Sequence, residues 1–225
     1  MKYAERVEFS NIQQYEVGDE QIENLVLKAV RAGGNTVVVG PSAVPVVNSL
    51  LNQEDQIKVD CALSYPSGAY FTSQKVEEVK DMLNEPLHID EFYIVMQVGM
   101  YLSGHKDEMR EELKALVEAA DGIPVKIVTE ISVFDHSQMK EICDAAAEAG
   151  VSAMVVSADF RPYDIPEPTI EQVREFVKLA AGRFEVIGAG NVTEPKRFLD
   201  MLEAGVTRVN TPVGFEILTK LNMEA

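Results

Sequence analysis

The chain has 225 residues, of which 46% are hydrophobic and 25% charged, and its 37 acidic and 20 basic side chains give a formal net charge of -17. This composition excludes intrinsic disorder as the main state, and the acidity opposes nonspecific binding to nucleic acid because an anionic surface repels phosphate. No window approaches the roughly 18 consecutive apolar residues of a membrane span, and the first residues are charged throughout, so we expect no membrane span, no signal peptide and a cytoplasmic location.

Short apolar runs alternate with longer amphipathic runs eight times along the chain. The apolar runs predict strands at Arg6–Ser10, Asn35–Val39, Ile57–Leu63, Glu91–Gln97, Val125–Thr129, Ala153–Ser157, Glu185–Gly188 and Thr207–Val209. The amphipathic runs predict helices at 19–32, 42–52, 72–84, 106–120, 136–149, 169–181, 194–204 and 212–221. Thr72 and Ser137 are expected to cap helix N-termini, and Gly33, Gly150 and Gly205 are expected to end helices.

This alternation predicts an α/β fold with a parallel sheet. Eight units of about 28 residues match a closed (β/α)8 TIM barrel, in one domain spanning residues 1–225. A doubly wound open sheet is the alternative, but no G-x-G-x-x-G follows the first strand, and the phrase at Gly188–Asn191 comes too late to be that fingerprint. In a TIM barrel the chemistry lies at the carboxyl ends of the strands.

The cysteines and histidines form no metal-binding pattern. Cys61 and Cys143 lie inside separate apolar segments, which predicts buried thiols rather than a disulfide or a zinc site. His88, His105 and His136 occur in no H-x-x-x-H arrangement. We therefore expect no metal and no other cofactor.

Five phrases follow one another in an order that resembles the deoxyribose-phosphate aldolase family. They are G-P-S-A-V-P (Gly40–Pro45), S-Y-P-S-G-A (Ser64–Ala69), V-G-M-Y-L-S-G (Val98–Gly104), V-K-I-V-T-E (Val125–Glu130) and A-A-E-A-G-V (Ala146–Val151). The resemblance runs from about Val7 to about Leu218. It implies a barrel that cleaves 2-deoxyribose 5-phosphate to glyceraldehyde 3-phosphate and acetaldehyde, through a Schiff base on a lysine of the sixth strand.

Three positions that the resemblance assigns to catalysis carry other residues here. The family phrase V-K-T-S-T-G matches Val155–Phe160, which puts Val156 at the reactive lysine. The phrase V-K-A-S-G-G matches Val186–Asn191, which puts Ile187 at the second lysine, whose charge lowers the pKa of the first. Tyr93 stands where the family has an acid/base aspartate. Because valine cannot form an imine, we expect the chain not to catalyse the family reaction by the family mechanism.

One polar pair remains in the fifth strand, Lys126 and Glu130, four residues apart and therefore on one face. The resemblance implies that Lys126 points into the barrel near the reactive centre. It is either a substitute catalytic amine or anchor for a substrate oxyanion, or one half of an internal ion pair with Glu130 or another carboxylate. Tyr93 either donates a hydrogen bond to a ligand or fills space. Asp60 is expected to face the helices or a neighbouring strand and to have no role.

Polar and glycine residues at the strand ends are the predicted ligand-binding positions: Glu130, Asp159, Arg161, Gly188, Gly190, Asn191, Thr211 and Gly214. Asp159 and Arg161 either orient a polar ligand or form a salt bridge within the loop. The family phrase G-T-S-S-G, at the phosphate end, matches Asn210–Gly214, where Thr211, Gly214 and the following helix remain as anion donors.

Three functions stay open. The first is an aldolase-like enzyme acting on a small sugar or aldehyde, phosphorylated or not, with Lys126 as the reactive amine. The second is a pseudoenzyme that binds a metabolite or a partner protein without turnover. The third is an active aldolase whose catalytic register is shifted, with Lys178 or Lys196 as the nearest lysines. Barrels of this class often form dimers, so a homodimer is one assembly that the sequence leaves open.

Overall fold

The structure, a computed structural model, describes residues 1–52, 54–160 and 165–223. Eight parallel strands close into one barrel in chain order. They are β1 (Val7–Ser10), β2 (Thr36–Val39), β3 (Lys58–Leu63), β4 (Glu91–Val95), β5 (Val125–Val128), β6 (Ala153–Val155), β7 (Glu185–Gly188) and β8 (Arg208–Thr211). The predicted (β/α)8 fold is confirmed, with each predicted strand within about two residues of its observed bounds.

Strand β1 closes the barrel because it pairs with neighbours on both sides. Phe9 lies opposite Val37 of β2, and Val7 lies opposite Val209 of β8. With no free edge among these strands, every described strand has both of its hydrogen-bonding sides occupied.

Nine α-helices surround the barrel in the described part of the chain. They are α1 (Asp19–Ala32), α2 (Val44–Leu50), α3 (Thr72–Asn84), α4 (Val98–Leu102), α5 (Lys106–Ala119), α6 (His136–Ala149), α7 (Ile170–Ala180), α8 (Pro195–Ala204) and α9 (Gly214–Met223). Short 3₁₀ helices cover Ala4–Arg6, Pro41–Ala43 and Ile131–Val133. Helix α4 is not predicted from the sequence, because five residues are too few to show a helical period.

The three glycines that were expected to end helices do so. Gly33, Gly150 and Gly205 follow the last turns of α1, α6 and α8 with φ of 75°, 81° and 105°. This left-handed conformation strains residues with a Cβ, so glycine ends these helices at little cost.

The two predicted N-caps are wrong. Helix α6 is capped by Asp135, whose Oδ1 accepts the Gln138 N–H at 2.9 Å, and Ser137 is already inside the helix. Helix α3 has Phe71 at its cap position, with Thr72 as the first helical residue. In each of these two helices the predicted cap lies inside the first turn. Thr72 is one residue after the cap position of α3, and Ser137 is two residues after that of α6.

Two apolar layers follow from the alternation of side chains along the strands. Nine side chains pack together inside the barrel, in the space called the lumen below: Val38, Ala62, Tyr93, Val95, Val128, Ala153, Val155, Ile187 and Ala189. A larger shell, which includes Val156, lies between the strands and the helices. Among the described residues, no helix combines the length and apolarity needed to cross a bilayer.

The two cysteines are free and buried, as predicted. Burial raises the pKa of both the Cys61 and Cys143 thiols to about 12. Both are therefore protonated near neutral pH and lack the thiolate that a nucleophile or metal ligand requires.

Candidate active site

The floor of the lumen, near the amino ends of the strands, is a buried charge network. The Lys126 ammonium donates to Glu8 Oε1 at 2.7 Å and to Asp60 Oδ2, and it also contacts the Glu91 carboxylate. Arg208 reaches Glu91 at 3.1 Å and Glu8 at 3.3 Å. Since Lys126 is fully buried and surrounded by three carboxylates, the geometry favours the ion-pair alternative over the catalytic amine.

The protonation states follow from the balance of three carboxyl groups and two cations in this floor network. Burial raises the pKa of Asp60 well above its ordinary value, and the charge of Lys126 offsets this only in part. For Glu91, burial is outweighed by Lys126 and then Arg208, which lower the pKa to about 2. Burial alone lowers the pKa of Lys126, but the charges of Asp60 and Glu8 raise it above its ordinary value. Lys126 is therefore an ammonium with no free electron pair near neutral pH.

The orientation predicted for Asp60 is wrong. Its side chain points into the lumen and binds Lys126, rather than facing the helices. Its Oδ1 is buried and has no partner among the described residues. Burial of this carboxyl, with Glu8 and Glu91 nearby, is the cause of its raised pKa.

The same carboxylates are the described residues best placed to hold a metal ion. One oxygen from each of Glu8, Asp60 and Glu91 lies within 4.8 Å of the others. All three, however, contact the ammonium of Lys126. The cation that these carboxylates hold in the structure is the lysine side chain.

Above the floor, apolar and aromatic side chains fill the middle of the lumen. Tyr93, Val155 and Ile187 face one another there from β4, β6 and β7, and each is buried. Val156, the position matched to the family's reactive lysine, instead packs in the outer shell. The residue of β6 that faces the lumen at this height is therefore Val155, one position earlier.

Tyr93 fills space between the floor and the mouth. Its side chain is almost fully buried and packs with the other apolar residues of the lumen. Burial, and then the nearby charge of Glu8, raise the pKa of Tyr93 well above its ordinary value. The phenol is thus neutral near neutral pH and is not a general base there.

Glu130 lies at the mouth and belongs to a cluster separate from the floor network. Its carboxylate accepts hydrogen bonds from Ser132 at 2.8 Å and from Ser157 at 2.7 Å. Ser157 in turn accepts the Asp159 backbone N–H at 3.0 Å. Glu130 lies two residues beyond the end of β5, and the ion pairs of Lys126 are with the floor carboxylates.

Asp159 is brought together with the loop after β7. Its Oδ1 accepts the backbone N–H of Asn191 at 2.7 Å. Both residues have positive φ, 54° and 52°, and Gly190 between the strand and Asn191 has φ of 100°. Arg161, the predicted partner of Asp159, lies outside the described residues.

The predicted anion donors after β8 are engaged within the protein. The Thr211 hydroxyl donates to the Val192 carbonyl at 2.6 Å and accepts the Val213 N–H at 3.2 Å. Gly214 begins α9 and is packed so closely that a Cβ would lie 2.5 Å from Val7. A Cβ at Gly188 would likewise lie 3.3 Å from the sulfur of Met201 in α8. These residues shape the rim by packing.

An open cavity of about 290 Å³ lies at the mouth, displaced toward the ends of β4, β5 and β6. Its walls are mainly apolar, with Ser67, Thr129 and Glu130 as its polar residues. The Thr129 Oγ1 is buried and has no hydrogen-bond partner in the described part of the chain. Thr129 belongs to no motif in the sequence, but its place directly after a predicted strand of a barrel is a signal for a residue at the mouth.

A second buried ion pair fixes one wall of this cavity. Lys75 of α3 donates to Glu112 of α5 at 2.9 Å and to the Val95 carbonyl at 2.8 Å. Glu112 also accepts the Gln97 backbone N–H at 3.2 Å. Burial lowers the pKa of Lys75, and Glu112 opposes this. The pair joins two helices to the carboxyl end of β4, where Val95 faces the cavity.

Comparison with known proteins gives both sequence and structural relatives. The chain is 30% identical over 199 residues to deoxyribose-phosphate aldolase of Bdellovibrio bacteriovorus, covering 88% of this chain and 87% of that protein. No protein-family profile matches the sequence.

Solved structures superpose closely. The aldolase QR15 gives a TM-score of 0.89 with 25% identity, over 100% of this chain and 97% of that one. The tetrameric deoxyribose phosphate aldolase from Aeropyrum pernix gives a TM-score of 0.86 with 18% identity, over 99% of this chain and 92% of that one, and at this identity it supports the fold alone.

Proposed function

The chain belongs to the deoxyribose-phosphate aldolase family, and we propose that it binds a small carbonyl or hydroxyl compound at the mouth of its barrel without forming an imine. Its carbon–carbon bond chemistry has been lost while the barrel and its mouth have been kept. The proposal thus adopts the second of the three functions that the sequence leaves open, with a small molecule as the ligand.

One observation carries the proposal. The lumen positions on β4, β6 and β7 hold Tyr93, Val155 and Ile187, none of which has an amine or a carboxylate. An aldolase of this class needs a neutral amine to attack the carbonyl and a group that moves protons beside it. The packed side chains provide neither.

An enzyme that uses Lys126 is the second candidate, because this residue is the lysine on the described strands that lies fully inside the barrel. Its complete burial and its pairing with Glu8, Asp60 and Glu91 oppose this role. A substrate carbonyl can reach it only if the middle of the lumen opens and the ammonium loses a proton.

The test measures turnover and binding with the same purified protein. We expect no release of glyceraldehyde 3-phosphate from 2-deoxyribose 5-phosphate in a coupled assay, with an active family aldolase as the positive control. We expect saturable binding of at least one small carbonyl or hydroxyl compound in a calorimetric screen of metabolites. Cleavage of 2-deoxyribose 5-phosphate at a rate near that of the control contradicts the proposal.

For assembly, we propose a homodimer. Tyr70 and Phe71 lie beside Met100 on one exposed surface, and Phe71 is 78% exposed, which is unusual for a phenylalanine in a monomer. Sedimentation equilibrium at micromolar concentration is expected to give twice the monomer mass of 24.9 kDa. A monomeric mass that persists at high concentration contradicts the dimer.

A further inference from the structure

We propose that Tyr65 sets the length of ligand that the mouth accepts, because its side chain divides the mouth into two cavities. The inference rests on the proposed function and deepens it, since it assigns ligand specificity to one residue. A ligand confined to one cavity is short, whereas a mouth without the Tyr65 ring takes a ligand that spans both.

The course of the Tyr65 side chain across the mouth is the first step. Tyr65 follows β3, and its hydroxyl donates to the carbonyl of Ala158, which follows β6, at 2.9 Å. Its ring also meets the Phe160 ring edge to face, with the centroids 6.4 Å apart. In the closed barrel, β4 and β5 lie between β3 and β6 on one side, and β7, β8, β1 and β2 lie between them on the other. The side chain therefore separates these two groups of strand ends.

A cavity lies on each side of this side chain. The cavity of about 290 Å³, called the β4–β5 cavity here, is lined by Val95 and Val133 and by the two neighbours of Tyr65, Pro66 and Ala158. The second, of about 170 Å³, is called the β1–β2 cavity. Its walls are Tyr65 itself and residues that follow β1 and β2, among them Asn11, Ile12, Gly40 and Ser42. Tyr65 is thus the wall between two spaces that each suit part of a small molecule.

The loop that carries Tyr65 is held in place on both sides of this residue. Ser64 donates to the Glu78 carboxylate from its hydroxyl at 2.7 Å and from its backbone N–H at 3.3 Å. The Gly68 N–H donates to the Ser64 carbonyl at 2.9 Å. Gly68 lies so close to the end of β4 that a Cβ would be 2.4 Å from the Met96 carbonyl oxygen. The loop therefore presents Tyr65 as a fixed part of the mouth.

The Tyr65 side chain is itself anchored. Its ring packs against the apolar side chains of the lumen, and its hydroxyl is bonded to Ala158. Burial, and then the charge of Asp159, raise the pKa of Tyr65 above its ordinary value, so the hydroxyl keeps the proton that it donates. Truncation of this side chain is expected to join the two cavities, because the ring is the group that lies between them.

The experiment titrates two diols of different length, 1,3-propanediol and 1,6-hexanediol, into the intact protein and follows the methyl groups by NMR. Leu102 and Val133 report on the β4–β5 cavity, and Ile12 and Val17 report on the β1–β2 cavity. In Tyr65→Ala we expect 1,6-hexanediol to bind at least about fivefold more tightly than in the wild-type protein, because more of its methylene groups are buried. It should shift the reporters of both cavities with one dissociation constant.

The shorter diol separates a joined mouth from a merely larger one. We expect the affinity for 1,3-propanediol to change by less than about twofold in Tyr65→Ala, because this probe already fits on one side of the ring. An unchanged affinity for 1,6-hexanediol overturns the inference. Equal gains for the two diols, or shifts by 1,6-hexanediol on one side only, also overturn it.

Three further variants complete the test. Tyr65→Phe keeps the ring and should bind both diols within about twofold of wild type. Tyr15→Ala removes a tyrosine that is 88% exposed and should leave both affinities unchanged. Tyr65→Leu, which is shorter but keeps apolar contact with the lumen, repeats the test should Tyr65→Ala fail to fold. A gain in Tyr65→Phe or Tyr15→Ala as large as that in the truncated variant overturns the inference.

The two proposals fail in different ways. If truncation at Tyr65 leaves the affinity for 1,6-hexanediol unchanged, the role of Tyr65 is wrong, while the metabolite screen of the wild-type protein still decides the proposed function. If the wild-type protein cleaves 2-deoxyribose 5-phosphate, the proposed function is wrong, and the diol titrations still decide whether Tyr65 divides the mouth.

Discussion

Lys126 donates to Glu8 over 2.7 Å, and this bond joins β5 to β1 across the floor of the barrel between residues 118 positions apart. The lysine that the fifth strand shares with the family phrase is thus a structural cation in this chain. It is fully buried, with three carboxylates around its ammonium.

Removing the cation is expected to destabilise the fold strongly. Lys126→Met leaves Glu8 and Glu91 buried with one cation fewer, and breaking a buried pair in this way typically costs about 3–5 kcal/mol. Urea unfolding gives the measurement. The matched control is Lys28→Met, which removes an exposed pair with Glu216 and is expected to cost less than about 1 kcal/mol. Equal, small effects of both substitutions argue against the network.

Glu91 is expected to make the fold sensitive to acid. Its folded pKa, about 2, lies below the unfolded value of roughly 4.3, so its carboxylate stabilises the fold above the unfolded value. This contribution is lost as the pH falls from about 5 toward 2. Glu91→Gln is therefore less stable than wild type at pH 7, and the difference shrinks on acidification. Parallel stability curves for the two proteins between pH 7 and pH 3 refute this.

Asp60 is expected to behave in the opposite way. Its folded pKa is raised, so the folded state binds the proton more tightly and loses stability as the pH rises above the unfolded value of roughly 3.9. Asp60→Asn resembles the protonated carboxyl and keeps an acceptor for Lys126. At pH 7 we expect the unfolding free energy of this variant to be higher than that of the wild-type protein, or lower by no more than about 1 kcal/mol, because the two side chains have nearly the same shape. If Asp60→Asn lowers the unfolding free energy as much as Lys126→Met does, Asp60 is ionised in the folded protein and this prediction is wrong.

The direction of the β6 side chains can be read by placing a lysine on each face. Val155→Lys points an amine into the lumen toward Ile187 and the mouth, so a folded variant should give an acetaldehyde adduct after borohydride reduction. Val156→Lys points its amine into the shell against the helices and should give none. Without a second cation at Ile187, the Val155→Lys variant should still show little aldolase turnover. Labelling of Val156→Lys alone means that the strand faces are reversed.

The sequence predicts the architecture well because alternation and glycine stops are local signals. The bounds of α1, α3 and α6 agree with the predicted ranges to the residue. The faces of the strands are harder to predict, because a shift of one residue exchanges lumen and shell. One residue separates Val156, which the resemblance places at the reactive lysine, from Val155, which faces the lumen, and the face of Asp60 is equally hard to predict.

The buried network was missed for a related reason. Glu8, Asp60, Glu91 and Arg208 each stand in a predicted strand or at its edge, where a charged residue among apolar ones is a signal of an internal partner. That the three carboxylates converge on Lys126, and that Arg208 reaches two of them, depends on closure of the barrel, which brings β1 beside β8. Sequence spacing alone does not contain that information.

Borohydride trapping on the wild-type protein tests the central claim most directly. The protein is incubated with 2-deoxyribose 5-phosphate or acetaldehyde, reduced, and weighed intact by mass spectrometry, beside an active family aldolase treated in the same way. We predict a stable adduct on the aldolase and an unchanged mass for this chain. A reduced adduct that peptide mapping places on Lys126 contradicts the account, because it shows that the buried ammonium is a working nucleophile.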